Sequence, residues 1–372
     1  MLFLDHNSTT ALDPAVWEAM RPWMLADFGN PSSSHRAGRR ARQALDDSRA
    51  IVARLLDAGD AEVIFTSGAT EANNLAVFGL CPESPAPILA SAIEHPCVTE
   101  PMKVLQKRGY PVYALRVDAS GIAILDDLPA VRFASLMRVN HETGSIQPVA
   151  ELRSRLGESA VIHCDAAQAV GKIPVSFRDL KVDALTLSAH KFHGPRGIGA
   201  LLVRKGRKPR PLVYGGFQQQ GYRPGTENHA FAVGLAVALE LAVSRMDASR
   251  GKVTELRERL LAGLRAKAPG MVCNSPTVES GLASPYVVNV SFPGARAEVL
   301  LMKLDLMGIA CSTGSACSSG SLLPSPVLEA MGVPPEVLDS AMRFSFDPSL
   351  TDDEIDTAVG TIADAVARLR AG

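Results

Sequence analysis

The 372-residue chain has no excess of either charge: 38 Lys and Arg offset 39 Asp and Glu, for a net charge of −1. That balance gives no basic field for nucleic acid and no polybasic face for anionic lipid. No uninterrupted apolar run reaches ~18 residues, so no membrane span is expected. The start, MLFLDHNSTT, lacks a basic opening and a long apolar stretch. This argues against a secretory signal and for a cytoplasmic protein. No C-x-x-C pair occurs among the six cysteines, Cys81, Cys97, Cys164, Cys273, Cys311 and Cys317. A structural zinc site is therefore disfavoured, and in a long chain without a signal the six read as free thiols. Disorder is excluded by a hydrophobic share of 47%. The length suits about two domains.

What is present is a repeated pattern. Short apolar runs end in polar clusters and give way to helix-like segments: Glu62–Thr66, Pro87–Ser91, Ala134–Val139, Val161–Cys164 and Ala184–Leu187. This alternation predicts a mostly parallel α/β sheet. Ligands bind such sheets at the carboxyl ends of the strands, where the polar residues collect here. After about residue 250 the texture changes to a smaller α+β domain. It holds a charged helix (GKVTELRERLLAGLRAK), strand candidates Tyr286–Phe292 and Ala341–Phe346, and a helix near Ala297–Met307. A last helix is signalled by the Thr351/Glu354 capping box and the stripe Ile355, Val359, Ile362, Val366, Leu369. The first dozen residues are too few for a domain and are expected to pack on this smaller one.

Several strand ends carry chemistry. Ser67-Gly68-Ala69-Thr70 sits between a strand and a helix start, where backbone N–H groups and the helix dipole favour a phosphate. Lys191 is either a surface lysine or a desolvated one able to form a Schiff base with an aldehyde. Asp165 reads as a helix cap or as a partner for a protonated pyridine nitrogen. Lysine, carboxylate and phosphate cradle together match the needs of pyridoxal phosphate. His163, His190 and His193 make a poor metal set: H-x-x-H spacing is awkward on a helix and no carboxylate or thiol pair completes it, so no metal is expected. Cys317 lies in Gly314–Gly320, a run of small residues, and is either a bystander or a nucleophile. Cys311 reads as packed. Arg343 either clamps a carboxylate or pairs with a nearby acid.

These segments carry a family resemblance. FLDHNSTTALDP, FGNPSSSH, FTSGATEANNLA, EHPCV, HETGSIQP, HCDAAQAVGKIP, SAHKFHGPRGIGAL, GTEN and STGSACSSGSLLPS together resemble the group I cysteine desulfurases, of the NifS/IscS kind. These lie within the class V aminotransferase family of fold-type I pyridoxal-phosphate enzymes. The resemblance covers essentially the whole chain. It implies a large, mostly parallel, seven-stranded sheet domain over 13–250. It implies a small domain made of 1–12 plus 251–372, which carries the catalytic cysteine loop at about 312–324.

The resemblance also implies roles. Lys191 bonds the cofactor and takes the substrate Cα proton. Asp165 holds the pyridine nitrogen, Gln168 the phenolic oxygen, and His95 stacks on the ring. Ala69, Thr70, Ser188 and His190 hold the phosphate, with Thr226 reaching across from the second subunit of a homodimer. Asn140 and Arg343 hold the substrate carboxylate. Cys317 takes sulfur from L-cysteine and passes it, as a persulfide, to a protein acceptor such as an Fe–S scaffold. Three alternatives remain: a selenocysteine lyase, a desulfurase specialised for DNA sulfur modification, and a non-catalytic sulfur-relay scaffold. The chain departs from typical members at His141, Phe217, Gln219, Gln220, Cys311, Asp347 and Pro348. These positions bear on the substrate mouth, the dimer contacts and the acceptor.

Overall fold

The computed structural model describes residues 1–59, 62–314 and 324–371. The chain opens with β1 (Leu2–Phe3), α1 (Pro14–Leu25) and α2 (Arg36–Leu55). The alternating part follows as β2 (Val63–Thr66), α3 (Ala69–Leu80), β3 (Ile88–Ser91), α4 (Pro96–Lys107), β4 (Val112–Leu115), β5 (Phe133–Ser135), α5 (Val149–Leu156), β6 (Val161–Asp165), β7 (Ala184–Ser188) and β8 (Gly199–Val203). Then come α6 (His229–Ser244), α7 (Met246–Lys267), β9 (Val272–Cys273), β10 (Val287–Ser291), α8 (Ala297–Leu306), β11 (Ile309–Ala310), α9 (Pro326–Ala330), α10 (Pro335–Leu338), β12 (Ala341–Ser345) and α11 (Asp352–Arg370).

Seven strands form one sheet in the order β2-β8-β7-β6-β5-β3-β4. Every residue of β2, β3 and β5 to β8 is buried, because helices cover both faces. That explains why these strands read as continuous apolar runs. Only β8 runs against its neighbours. The link from β7 to β8 contains no crossover helix, just a single helical turn at Ala189–Lys191, so the chain doubles back. Lys191 lies on that return. Gly199 closes it: a Cβ there would stand 2.5 Å from Leu187 O and 2.8 Å from Gly68 Cα. Only glycine lets β8 lie so close to the turn ahead of α3.

The smaller unit packs β12-β10-β9 and the β1–β11 pair against α7, α8 and α11. The α11 stripe enters this core, and the Thr351/Glu354 capping box forms. The boundary expected at 250 falls inside α7, whose Val253, Leu256 and Leu260 already belong to the small core. The N-terminal segment does more than pad that core. Leu4 is buried in it, but Thr10 N donates to His190 O and Asp13 N to His193 O, both at 3.0 Å. The segment thus ties the small domain to the lysine turn.

Candidate active site

At the carboxyl ends of the large sheet lies a cavity of about 400 Å³. Eight of the sequence-predicted residues line it: Ala69 and Thr70 from α3, His95 ahead of α4, Asp165 at the end of β6 with Gln168 after it, and Ser188 at the end of β7 with His190 and Lys191 after it. Cys317 lies outside the described residues.

Each corner has a physical cause. Among the described residues no side chain caps α3 at Gly68, so its first N–H groups keep their capacity for an anion beside Ser188. Asp165 is buried and held at both oxygens. Oδ1 accepts from Ala167 N at 2.9 Å and Oδ2 from Asn73 Nδ2 at 2.7 Å. Its spare lone pairs suit a cationic N–H inside the cavity. Lys191 Nζ donates to the carbonyls of Asn7 at 2.6 Å and Ser8 at 2.9 Å. The two carbonyls fix the amine in the cavity lining, where a Schiff-base lysine would have to stand.

His95 caps α4 through its ring: Nδ1 accepts the Cys97 N–H at 3.2 Å, which puts the proton of the neutral ring on Nε2. Burial pushes this imidazole below its ordinary value; the Asp165 carboxylate opposes that shift, while Lys191 and Arg343 reinforce it. His141 packs edge-on against His95, with ring centroids 5.1 Å apart. Burial, followed by the charges around it, holds His141 well below the usual histidine range. Burial and the neighbouring Lys191, Arg196 and Lys172 push His190 down to about 4. The site thus gathers imidazoles held neutral by burial next to Lys191 and Arg196. Cys97 also lines it, 2.9 Å from Asn73 Nδ2 and from His95 Nδ1. Burial and the Asp165 charge push its thiol well up, so it stays protonated and is a poor nucleophile.

Three residues are not brought into the cavity lining. Asn140 is fully buried and spends its oxygen on its own turn, accepting from the N–H groups of Glu142 and Thr143. Its amide N–H goes to Ile93 O at 3.1 Å. Arg343 is 1% exposed, donates to Asp5 Oδ1 at 2.8 Å and leaves its buried Nε without a partner among the described residues. Thr226 is exposed on the surface. Of the departures, His141 lines this cavity, while Phe217 is 93% exposed.

Sequence reasoning passed over Asn7, Asn73, Cys97, Lys172 and Arg196. Asn73 lies one turn beyond Ala69 on α3, a spacing that could have pointed to it. Lys172 lines a second cavity of about 360 Å³ on the other side of Lys191, together with His6, His193 and Asp347.

The aminotransferase class-V family model matches residues 2–357. A cysteine desulfurase IscS from Dictyoglomus turgidum is 40% identical over 378 residues, covering 99% of this chain and 95% of that protein. A cysteine desulfurase from Enterobacter agglomerans is 41% identical over 382 residues, covering 99% and 93%. The solved structure of a NifS-like protein superposes with a TM-score of 0.91 at 34% identity, covering 99% of both chains.

Proposed function

The chain belongs to the aminotransferase class-V family, and from that premise we infer that it is a pyridoxal-phosphate-dependent cysteine desulfurase. It takes sulfur from L-cysteine, leaves L-alanine, and holds the sulfur on Cys317 for a protein acceptor such as an Fe–S scaffold. It works in the cytoplasm as a homodimer. One observation carries the reading: a single cavity joins Lys191, the doubly oriented Asp165 and the uncapped N-terminus of α3, in a chain matched end to end by cysteine desulfurases.

The residues fit the cofactor. The α3 terminus with Ala69, Thr70, Ser188 and His190 would hold its phosphate, and Thr226 of a second subunit would complete that pocket. Asp165 would hold the ring N–H, His95 would pack on the ring, and Gln168 would give an amide N–H to the ring oxygen. When bound, pyridoxal phosphate supplies an electron-withdrawing ring that stabilises negative charge at the substrate Cα.

The chain's own residues do the rest. Lys191 Nζ takes the Cα proton and later returns one. The substrate carboxylate goes to Arg343, which exchanges Asp5 for it, and to Asn140, whose second amide N–H exchanges the Met137 sulfur for it. The Cys317 sulfur attacks the substrate sulfur; an S–S bond forms as the C–S bond breaks, and alanine leaves.

The test is direct. The purified protein is yellow and, with a reductant, releases sulfide and alanine from L-cysteine. Cys317→Ser keeps the colour and loses sulfide release, and Lys191→Ala loses the visible band. Full turnover by Cys317→Ser sinks the nucleophile assignment. A colourless, inactive wild type favours the scaffold alternative.

A further inference from the structure

A buried amine stands behind the site with no part in the chemistry above. Lys172 is 5% exposed and follows Gln168 by four residues in the turns after β6. Its Nζ donates to Gln168 Oε1 and to Asn7 Oδ1, both at 2.8 Å. Gln168 Nε2 donates to Asn7 O at 2.9 Å, and this is the carbonyl that also receives Lys191 Nζ. Asn7 is itself fixed, its N–H donating to Ser345 Oγ at 2.9 Å and its Nδ2 to His141 O at 3.3 Å. Both ends of the Gln168 amide are therefore gripped. Among the described residues one N–H is left over, on a residue that lines the cavity.

Chemistry makes the grip selective. An amide whose oxygen is unheld can turn over and present an acceptor where a donor is needed. Lysine presents only donors when charged, and even the neutral amine keeps two N–H, one for each acceptor. Keeping an amine here is costly: burial, with Lys191 next, pushes Lys172 down to about 7 against the pull of Asp347, and Arg343 adds to the fall. The ring of Tyr286 lies 5.6 Å from its Nζ. An apolar side chain of like volume would carry no such desolvation cost. The amine's contacts are thus its reason for being there.

We propose that Lys172 is a positioning residue acting through Gln168: by holding the amide oxygen, it turns the free N–H toward the ring oxygen of the cofactor at Lys191. This rests on the cofactor reading above.

The readout is the pH midpoint of the bound cofactor's visible band. A donor to the deprotonated ring oxygen favours that form, so its loss raises the midpoint. In Lys172→Met, reconstituted with pyridoxal phosphate, the midpoint rises by about one pH unit, roughly tenfold in the equilibrium. Lys172→Gln, equally uncharged but still a donor, stays near wild type. Gln168→Ala gives the same rise, and Lys172→Met adds nothing in that background. Thermal melting checks folding, and Lys172→Ala replaces the methionine variant if that one fails to fold. Equal shifts in the Met and Gln variants would assign the effect to charge and overturn the proposal. Additive shifts with Gln168→Ala, or an unmoved band, overturn it too. Failure of the cofactor reading looks different: the wild type then shows no visible band at all.

Discussion

Replacing Asp165 by asparagine preserves shape and removes charge. In the wild type Ala167 N–H reaches Oδ1 and Asn73 Nδ2 reaches Oδ2. An asparagine must turn its NH₂ toward one of those donors, so one buried pairing is lost along with the charge. An unsatisfied buried group costs about 1–3 kcal/mol, and a hydrogen bond to a charged group contributes about 1.5–3 kcal/mol. The first term falls on stability and the second on the ring nitrogen. We expect Asp165→Asn to bind pyridoxal phosphate about 10- to 150-fold more weakly, from the second term at about 1.4 kcal/mol per tenfold. Turnover should fall further, because a neutral amide does not keep the ring nitrogen protonated. The assay titrates the apoprotein with the cofactor by absorbance, then measures sulfide release at saturating cofactor. Asn73→Ala, which keeps the charge and removes one donor, should show a smaller loss. If Asp165→Asn binds as tightly as wild type and turns over near its rate, the carboxylate is structural and the reasoning fails.

Two further perturbations test the surroundings. Burial alone would lower His193, but its 2.9 Å pair with Asp347 outweighs that and holds it above the ordinary value. A raised histidine contributes stability below its unfolded pKa of about 6.5 and loses it as pH climbs through the folded value. The melting temperature of Asp347→Asn should therefore trail wild type more at pH 6 than at pH 8.5; a gap that stays constant would discard this linkage. At the amino end of β7, Arg153 and Asp183 form an ion pair with side chains 4% and 0% exposed. Asp183→Asn should cost about 3–5 kcal/mol in denaturant unfolding, as expected for a broken buried pair. The remaining folded enzyme should keep its kcat, since the pair lies at the opposite end of the sheet from the cavity. A stable but inactive variant would contradict that separation.

The sequence revealed what burial writes locally. Strands covered on both faces show as apolar runs, and β2, β3, β6 and β7 were legible for that reason. β4 sits at the sheet edge beside β3 with Tyr113 45% exposed, and its run is correspondingly broken. β9 and β11 are two residues each and depend wholly on their partners. The lysine, aspartate and phosphate corners were legible because each sits at a strand end. Asn140 and Arg343 were legible by residue type but not by engagement. Asparagine competes for nearby backbone N–H groups, as Asn140 does in its own turn. The acid that holds Arg343 lies 338 residues away, and no local pattern points to it.

The same long range governs how the two halves of the site meet. On β12, Arg343 N donates to Ser312 O at 2.7 Å, fixing the stem that leads toward residue 317. Two positions along, Ser345 N donates to Leu4 O at 2.7 Å and Ser345 Oγ receives Asn7 N. Asn7 in turn holds Lys191, Gln168 and Lys172. Alternate residues of a strand direct their N–H groups to the same edge. The stem of the thiol segment and the anchor of the lysine therefore hang from positions two apart on one edge of one short strand, the edge away from β10. A one-residue slip of β12 against β10 would turn both N–H groups to the other edge and break both links. The five-residue register from Val287↔Ser345 to Ser291↔Ala341 is thus a condition for the chemistry as well as for the small core.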